Sequence, residues 1–389
     1  MKLNIANVIK YNKCVYTIYY HTMSTAINFL KIFVKPDDKL ILFNSFAGRK
    51  YDDSPKAIYE AMRIDARFKD YHFVWAFHQP EQFTVKGAKK IKTDGLNYFI
   101  TALKSRVWVT NSSVERGLNF KGKNTFYLNT WHGSPIKKMG SDIAKDNQSF
   151  GAKGKNKTDV MNTQSEFEAA IFSKCFGIPR KHFLEVGLPR NDELADYAEE
   201  RRNKIRKKFR IPADKSVILY CPTFREYEKD ENLGVILAPP IDLKKWQSKL
   251  GGRFVLLFRA HYEVSKVMDI EESDFVKNVT DYPSLNELMI ASDILISDYS
   301  SIFFDYSIMD KPMLHFTYDY DIYEEKRGMY FDIRDYLSGA SNEDELLRII
   351  LSMETGEEVT KTETFRNKYV NYYGDAAVQT VDCIAKHIV

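Results

Sequence analysis

At 389 residues the chain has room for two domains of ordinary size, and 44% hydrophobic with 28% charged residues marks it as globular rather than disordered or fibrous. A net charge of +4, from 57 basic and 53 acidic residues, is too small and too mixed to point to nucleic acid. Cys14, Cys175, Cys221 and Cys383 are widely spaced, with no CxxC or Cys/His metal pattern, which argues for reduced thiols in a cytosol rather than a disulfide framework.

In chain order, residues 2–35 contain apolar runs broken by Asn7, Lys10, Lys13, His21, Asn28 and Lys31. The segment therefore lacks the roughly 20 consecutive apolar residues of a spanning helix. At helical spacing Lys10, Lys13, Thr17, His21, Ser24, Asn28, Lys31 and Lys35 form one polar stripe, and five lysines precede the first acidic residue, Asp37. This predicts a basic, aromatic-rich amphipathic segment over 1–36, suited to the interface of an anionic bilayer. The alternative is a helix packed on its own domain or on a partner subunit. Beyond Pro36, strands are predicted at 40–43, 72–77, 107–110 and 125–130, with Ser54 and Pro55 as N-cap and first residue of a helix over 56–62. A strand running into a helix is expected over 161–176, and a further strand at 183–186. After the basic stretch 201–210, which reads as a solvated helix face or a lipid contact, strands return at 217–221, 254–258, 294–297 and 313–316, with a helix at 285–291. Strands without period-2 alternation, separated by helices, imply parallel sheets covered on both faces. The predicted fold is thus α/β, with two doubly wound Rossmann-like domains, 37–197 and 198–389, and ligands at the carboxyl ends of strands. No G-x-G-x-x-G or P-loop occurs.

Two strand ends carry groups able to handle phosphate. Residues 129–140 (NTWHGSPIKKMG) place His132 beside Gly133 with Lys137 and Lys138 just beyond, and residues 296–305 (ISDYSSIFFD) place Ser300 and Ser301 where a strand turns into a helix. A positioned histidine is the usual base for an alcohol nucleophile near neutral pH, and hydroxyls with backbone N–H groups at a helix start form an anion seat. Arg259 and His261 end the strand 254–258, and Arg225 follows Pro222 and Thr223; guanidinium pairs well with phosphate oxygens. Each has an ordinary structural alternative: a backbone-bonded histidine, a capping serine, a salt-bridged arginine. Asp319 and Asp321 form a D-x-D pair of the kind that holds a divalent cation in many sugar transferases, or a solvent-facing loop pair.

The stretch 48–59 (GRKYDDSPKAIY), Trp131-His132-Gly133 with Lys137 and Lys138, 187–192 (GLPRND), 222–225 (PTFR), Arg259 with His261, 297–301 (SDYSS) through Lys311 and Pro312, and Arg327 with Gly328 resemble, in order and in register, the CDP-glycerol glycerophosphotransferases of teichoic acid synthesis. The resemblance spans about 40–335. It implies a GT-B-like fold with an acceptor-side and a CDP-donor-side domain and the active site in a cleft between them. The implied reaction transfers a polyol phosphate, glycerol or ribitol, from its CDP donor to a lipid-linked phosphopolyol acceptor of teichoic acid or capsule type, releasing CMP. Tyr262 stands where family members often have proline after the Arg-x-His histidine, which leaves the polyol open. Within that resemblance His132 is the base and His261 its catalytic partner at the pyrophosphate. Arg225, Arg259, Ser300 and Ser301 hold the donor, and Lys137, Lys138 and Arg327 hold the acceptor phosphates. No obligatory metal is implied, with Mg²⁺ at most a stimulant. The expected place is the cytoplasmic face of a bacterial cell membrane, bound peripherally, with no nucleic-acid partner. A nucleotide-sugar glycosyltransferase on the same fold and an inactive membrane-tethered binding module are the competing readings.

Overall fold

The computed structural model describes residues 12–143, 156–223, 225, 238–260, 268 and 270–388. The chain forms two compact units. The first draws on Met1–His132, Met139–Asp192 and Tyr372–Val389, the second on Gly133–Lys138 and Glu193–Asn371.

In the first unit, strands β1 (Asp37–Asn44), β2 (His72–Phe77), β3 (Lys89–Lys92), β4 (Ser105–Thr110), β5 (Phe126–Asn129), β6 (Val160–Thr163) and β7 (Phe183–Glu185) form one sheet in the order β3-β2-β1-β4-β5-β6-β7, every pair parallel. In β1, Ile41 and Phe43 enter one apolar cluster with Tyr59 and Trp75, while Leu40 and Leu42 enter another with Val74 and Trp108. Both faces of the strand are buried, which is why its sequence is a continuous apolar run rather than an alternation. The second unit repeats the plan with β8 (Ser216–Cys221), β9 (Phe254–Phe258), β10 (Val276–Asn278), β11 (Ile294–Ser297), β12 (Met313–Phe316) and β13 (Ser338–Ala340), in the order β10-β9-β8-β11-β12-β13, again parallel throughout. The strand order reverses between β1 and β4 in the first sheet and between β8 and β11 in the second. Carboxyl ends at such reversals are where open α/β sheets take their ligands.

The two doubly wound sheets are those expected. The domain limits differ from 37–197 and 198–389: the N-terminal helix belongs to the first unit, and the crossing into the second falls between Asp192 and Glu193. The last helix, Ala376–Ile388, returns to the first unit, where Val381, Ile384 and Ala385 join the cluster around Phe43, and Asp192 accepts hydrogen bonds from the N–H groups of Ala376 and Ala377. Residues 133–138 belong to the second unit. Helix Asp53–Ile64 begins at Asp53, not after Ser54, whose hydroxyl instead accepts a bond from the Arg190 N–H at 3.2 Å. In the basic helix Glu199–Lys208, Arg202 and Arg206 both pair with Asp293 and Arg201 pairs with Glu193, so three of its cations are used internally.

The N-terminal helix, Lys13–Leu30, is capped by Asn12 and presents three faces. Tyr19, Met23, Ile27 and Leu30 pack on the first unit's core. Ser24, Asn28 and Lys31 hydrogen-bond the 119–121 loop. The third face is open to solvent and carries large apolar side chains beside Thr22 and Thr25: Ile18, Phe29, Ile32 and Phe33 (the last two in the following turn) are between 63% and 74% exposed. The lower part of the expected polar stripe thus faces inward. Lys10 lies outside the described residues. No helix among the described residues is long and apolar enough to cross a membrane.

Candidate active site

At the β1/β4 reversal, Phe46 and Ala47 follow β1 and Asn111 follows β4. The N–H of Phe46 donates to Asn111 Oδ1 at 2.7 Å, and that of Ala47 to Ser112 Oγ at 3.0 Å. His132, three residues beyond β5, points into this arrangement. Its Nδ1 lies 2.6 Å from the backbone carbonyl of Asn111. A carbonyl can only accept, so Nδ1 carries the proton and the Nε2 lone pair is the basic one. The ring sits against Phe46 and Trp131 at centroid distances of 5.7 and 4.3 Å.

His132 is exposed to solvent, with Phe46, Trp131 and the Asn111 carbonyl against its ring. Desolvation is the largest influence and lowers its pKa. The Asn111 carbonyl and Asp53 pull the other way, and Arg190 and Arg49 push further down. The net shift is below the ordinary imidazole value, so His132 is neutral and able to accept a proton near neutral pH. Phe46 (φ 46°), Ala47 (φ 56°), Asp53 (φ 65°) and Trp131 (φ 51°) all adopt left-handed backbone geometry around it. Non-glycine residues held there cost about 1–3 kcal/mol each, and such outliers gather at functional sites. Asp53 and Arg190, nearly buried, face each other at 3.7 Å. Arg49 and Asp53 lie in the 48–59 stretch and Arg190 in 187–192. Their approach to His132 brings together the segments after β1, β5 and β7, which spacing along the chain does not reveal.

At the β8/β11 reversal of the second unit, Asp298 follows β11. Its carboxylate accepts the Thr223 N–H at 2.9 Å, the Tyr299 N–H at 2.7 Å and Arg225 Nη1 at 2.9 Å. Arg225 also forks onto Asp319 through Nε (2.7 Å) and Nη2 (2.8 Å) and donates to the Thr223 carbonyl. The guanidinium lies within about 5 Å of the ring centroids of Tyr299, Tyr318 and Tyr323. Burial disfavours its charge, but Asp298 and Asp319 outweigh that and hold it protonated. This corrects the expectation that Arg225 binds donor phosphate: the side chain is 1% exposed and its forks are turned to carboxylates within the unit. The same contacts occupy Asp319, which also accepts from the Tyr299 hydroxyl at 3.0 Å, so Asp319 and Asp321 are not a free carboxylate pair.

The buried cluster fixes the backbone at 298–299, from which half-buried Ser300 and Ser301 lead into the short helix Ile302–Ser307. Arg259, at the end of β9, is tied through Nη1 to the carbonyls of Val279 and Tyr282. His261 lies outside the described residues. Residues 133–138 form a strap on the second unit. The Lys138 N–H donates to the Gly328 carbonyl at 2.9 Å, the Tyr330 N–H to the Ile136 carbonyl at 2.9 Å, and Lys137 bridges Met329 antiparallel. A Cβ on Gly133 would meet Ser301 Oγ at 3.1 Å, and one on Gly328 would meet Lys138 Cδ at 2.6 Å. Lys137 and Lys138 therefore stand beside Arg327 on the unit that carries Ser300 and Ser301. The two lysines were expected within the 37–197 domain and belong instead to the second unit, together with Arg327, the other residue expected at the acceptor phosphates.

A profile of the CDP-Glycerol:Poly(glycerophosphate) glycerophosphotransferase family matches residues 26–386. The chain is similar to the teichoic acid poly(glycerol phosphate) polymerase of Staphylococcus epidermidis, with 34% identity over 321 residues covering 79% of this chain and 44% of that protein. The chain thus spans less than half the length of that relative. It is also similar to the teichoic acid glycerol-phosphate transferase of Staphylococcus aureus, with 31% identity over 364 residues covering 89% of this chain and 92% of the relative. Among solved structures, the wall teichoic acid polymerase TagF superposes with a TM-score of 0.83 at 30% identity, over 96% of both chains.

Proposed function

The chain belongs to the CDP-glycerol:poly(glycerophosphate) glycerophosphotransferase family, and from that premise we propose that it transfers glycerol phosphate from CDP-glycerol to a hydroxyl of a lipid-linked teichoic-acid-type acceptor. The acceptor oxygen forms a bond to the phosphorus bearing glycerol, the bond from that phosphorus to the bridging oxygen breaks, and CMP leaves with the electron pair. The acceptor hydroxyl's proton passes to Nε2 of His132. The observation that carries this reading is the Asn111 carbonyl on Nδ1, which leaves a neutral imidazole with its basic nitrogen outward. Ser300, Ser301 and Arg259 hold the donor phosphates, with His261 at the pyrophosphate, and preorganised donors of this kind are the main lever in phosphoryl transfer. Arg49 and Arg190, near His132, suit the anionic acceptor. With Asp319 engaged by Arg225, the reading requires no metal, Mg²⁺ at most stimulating turnover. Glycerol is favoured over ribitol because the two relatives compared above, 34% and 31% identical over 79% and 89% of this chain, carry glycerol phosphate in their names. The exposed Ile18, Phe29, Ile32 and Phe33 of the N-terminal helix and its closing turn, with Lys35 just beyond, suit peripheral attachment to an anionic cytoplasmic membrane surface, where a lipid-linked acceptor resides.

The test is CMP release from purified protein offered CDP-glycerol, CDP-ribitol or a UDP-sugar with a lipid-linked glycerol-phosphate acceptor. Turnover with CDP-glycerol is expected; turnover with a UDP-sugar alone would replace this reading with a glycosyltransferase. Ser301→Ala and Arg259→Ala should each weaken CDP-glycerol binding, Arg259→Ala by about tenfold or more, as for a lost charge-assisted hydrogen bond. Calorimetric titration showing unchanged affinity in both variants would move the donor site elsewhere.

A further inference from the structure

At the amino ends of the first sheet, opposite the end that carries His132, the helix Lys13–Leu30 and its closing turn overhang a cavity of about 580 Å³. Ile32 and Phe33 form its outer lip and Val34 and Leu103 its apolar interior, while the turn 122–125 closes the far side. Lys31, Lys35, Arg106 and Lys123 line it; Asp38 is the single carboxylate among the lining residues. Two of these cations are held by neutral acceptors, which orient them without cancelling their charge. Lys31 Nζ donates to Asn28 Oδ1 and the Lys121 carbonyl, and Arg106 donates to the carbonyls of Asn124 and His387. Lys35 and Lys123 are exposed and make no ion pair with any described residue. A second cavity, of about 650 Å³, shares Gly122 and Lys123 and adds Lys121, Lys157 and His182, with Lys121 paired to Asp159. Lys157 in turn lies 3.9 Å from Glu115, so Lys35 and Lys123 are the exposed cations at the rim without an ion pair to a described residue, and beside it Phe29, Ile32 and Phe33 are directed to solvent.

We infer that the cavity behind Phe33 is a headgroup site for an anionic phospholipid. The inference rests on the membrane-surface reading above and adds to it the place and chemistry of the contact. Phosphate fits the lysine pair, the apolar interior fits the first carbons of the acyl chains, and the exposed phenylalanines enter the bilayer beside them. Charge and apolar surface occur together at one rim, as an interfacial lipid contact requires and a free-anion site does not.

The experiment is co-sedimentation of the full chain with phosphatidylcholine vesicles, with and without phosphatidylglycerol. Lys35→Gln/Lys123→Gln should reduce binding to phosphatidylglycerol vesicles by about 30-fold, from roughly fivefold per cation near an anionic surface, and leave the weaker binding to phosphatidylcholine unchanged. Phe29→Ser/Phe33→Ser should reduce both. Short-chain soluble phosphatidylglycerol should displace the protein, and inorganic phosphate at the same concentration should not. CMP release on a soluble acceptor should be unaltered in the lysine variant, which reports that it is folded. Wild-type binding by the lysine variant, or equal displacement by inorganic phosphate, overturns the headgroup site while membrane attachment stands. Failure of the unaltered chain to sediment with either vesicle overturns the attachment itself and the headgroup site with it.

Discussion

Replacing His132 by alanine should lower kcat by about 10²–10⁴-fold, the usual contribution of a positioned general base, with the circular dichroism spectrum and the affinity for CDP-glycerol unchanged. His132 is on the first unit and the proposed donor groups are on the second, so loss of the imidazole removes a proton acceptor and leaves the donor contacts intact. The pH profile follows from the same geometry. Desolvation holds the imidazole below its ordinary pKa, and only the neutral form can take the hydroxyl proton. Activity should therefore fall as pH drops through that lowered value, placing the acidic limb below where a solvated histidine would put it. Asn111 contributes through its backbone carbonyl, so Asn111→Ala should keep the Nδ1 contact and lose only the side-chain bond to the Phe46 N–H. Near-normal turnover by His132→Ala would end the base assignment. A limb above the ordinary histidine range would contradict the desolvated environment.

The second large effect is on stability. Asp298→Ala should cost about 3–5 kcal/mol, the range for removing one partner of a buried ion pair, read as a fall in the denaturant midpoint at constant slope. The loss is severe because the carboxylate serves three donors at once, and its removal leaves the buried Arg225 guanidinium facing Asp319 alone. Arg225→Lys should not rescue the cluster: an ammonium keeps the charge but cannot fork onto Asp319 while reaching Asp298. Were Arg225 a donor-phosphate ligand, the lysine variant would instead show normal stability and a raised KM for CDP-glycerol.

The strands at 72–77, 254–258, 294–297 and 313–316 and the helix 285–291 are found with the limits their apolar runs implied, because each lies in the sheet interior or packs directly on it. The strands that escaped notice, Lys89–Lys92, Val276–Asn278 and Ser338–Ala340, are sheet edges. In Lys89–Lys92 only Ile91 is buried, so nothing in the composition distinguishes it from a loop. For the site, His132 and the serines at 300–301 were legible because glycine, histidine and paired hydroxyls at strand ends are chemically conspicuous. Arg225 is equally conspicuous, but an arginine suited to phosphate is also suited to two carboxylates, and Asp298 and Asp319 stand 73 and 94 residues away. The stripe on the first helix was legible as a pattern but not in orientation, since its inward turn depends on hydrogen bonds to a loop some 90 residues away.

Between His132 and Gly133 the chain passes from one unit to the other, and within five residues it has taken up a bridge to Met329 and two backbone bonds to the second unit. On the first unit the imidazole is bonded to the Asn111 carbonyl, and on the second a Cβ at Gly133 would meet Ser301. This is a segment governed by length more than by composition. A single inserted residue would lengthen the one stretch that joins the ring on its carbonyl to the strap on its bridge. Many side-chain changes there leave both in place. Surface loops elsewhere absorb insertions at little cost, so a scan of one-residue insertions along 119–140 should find its sharpest drop in activity at this one peptide bond.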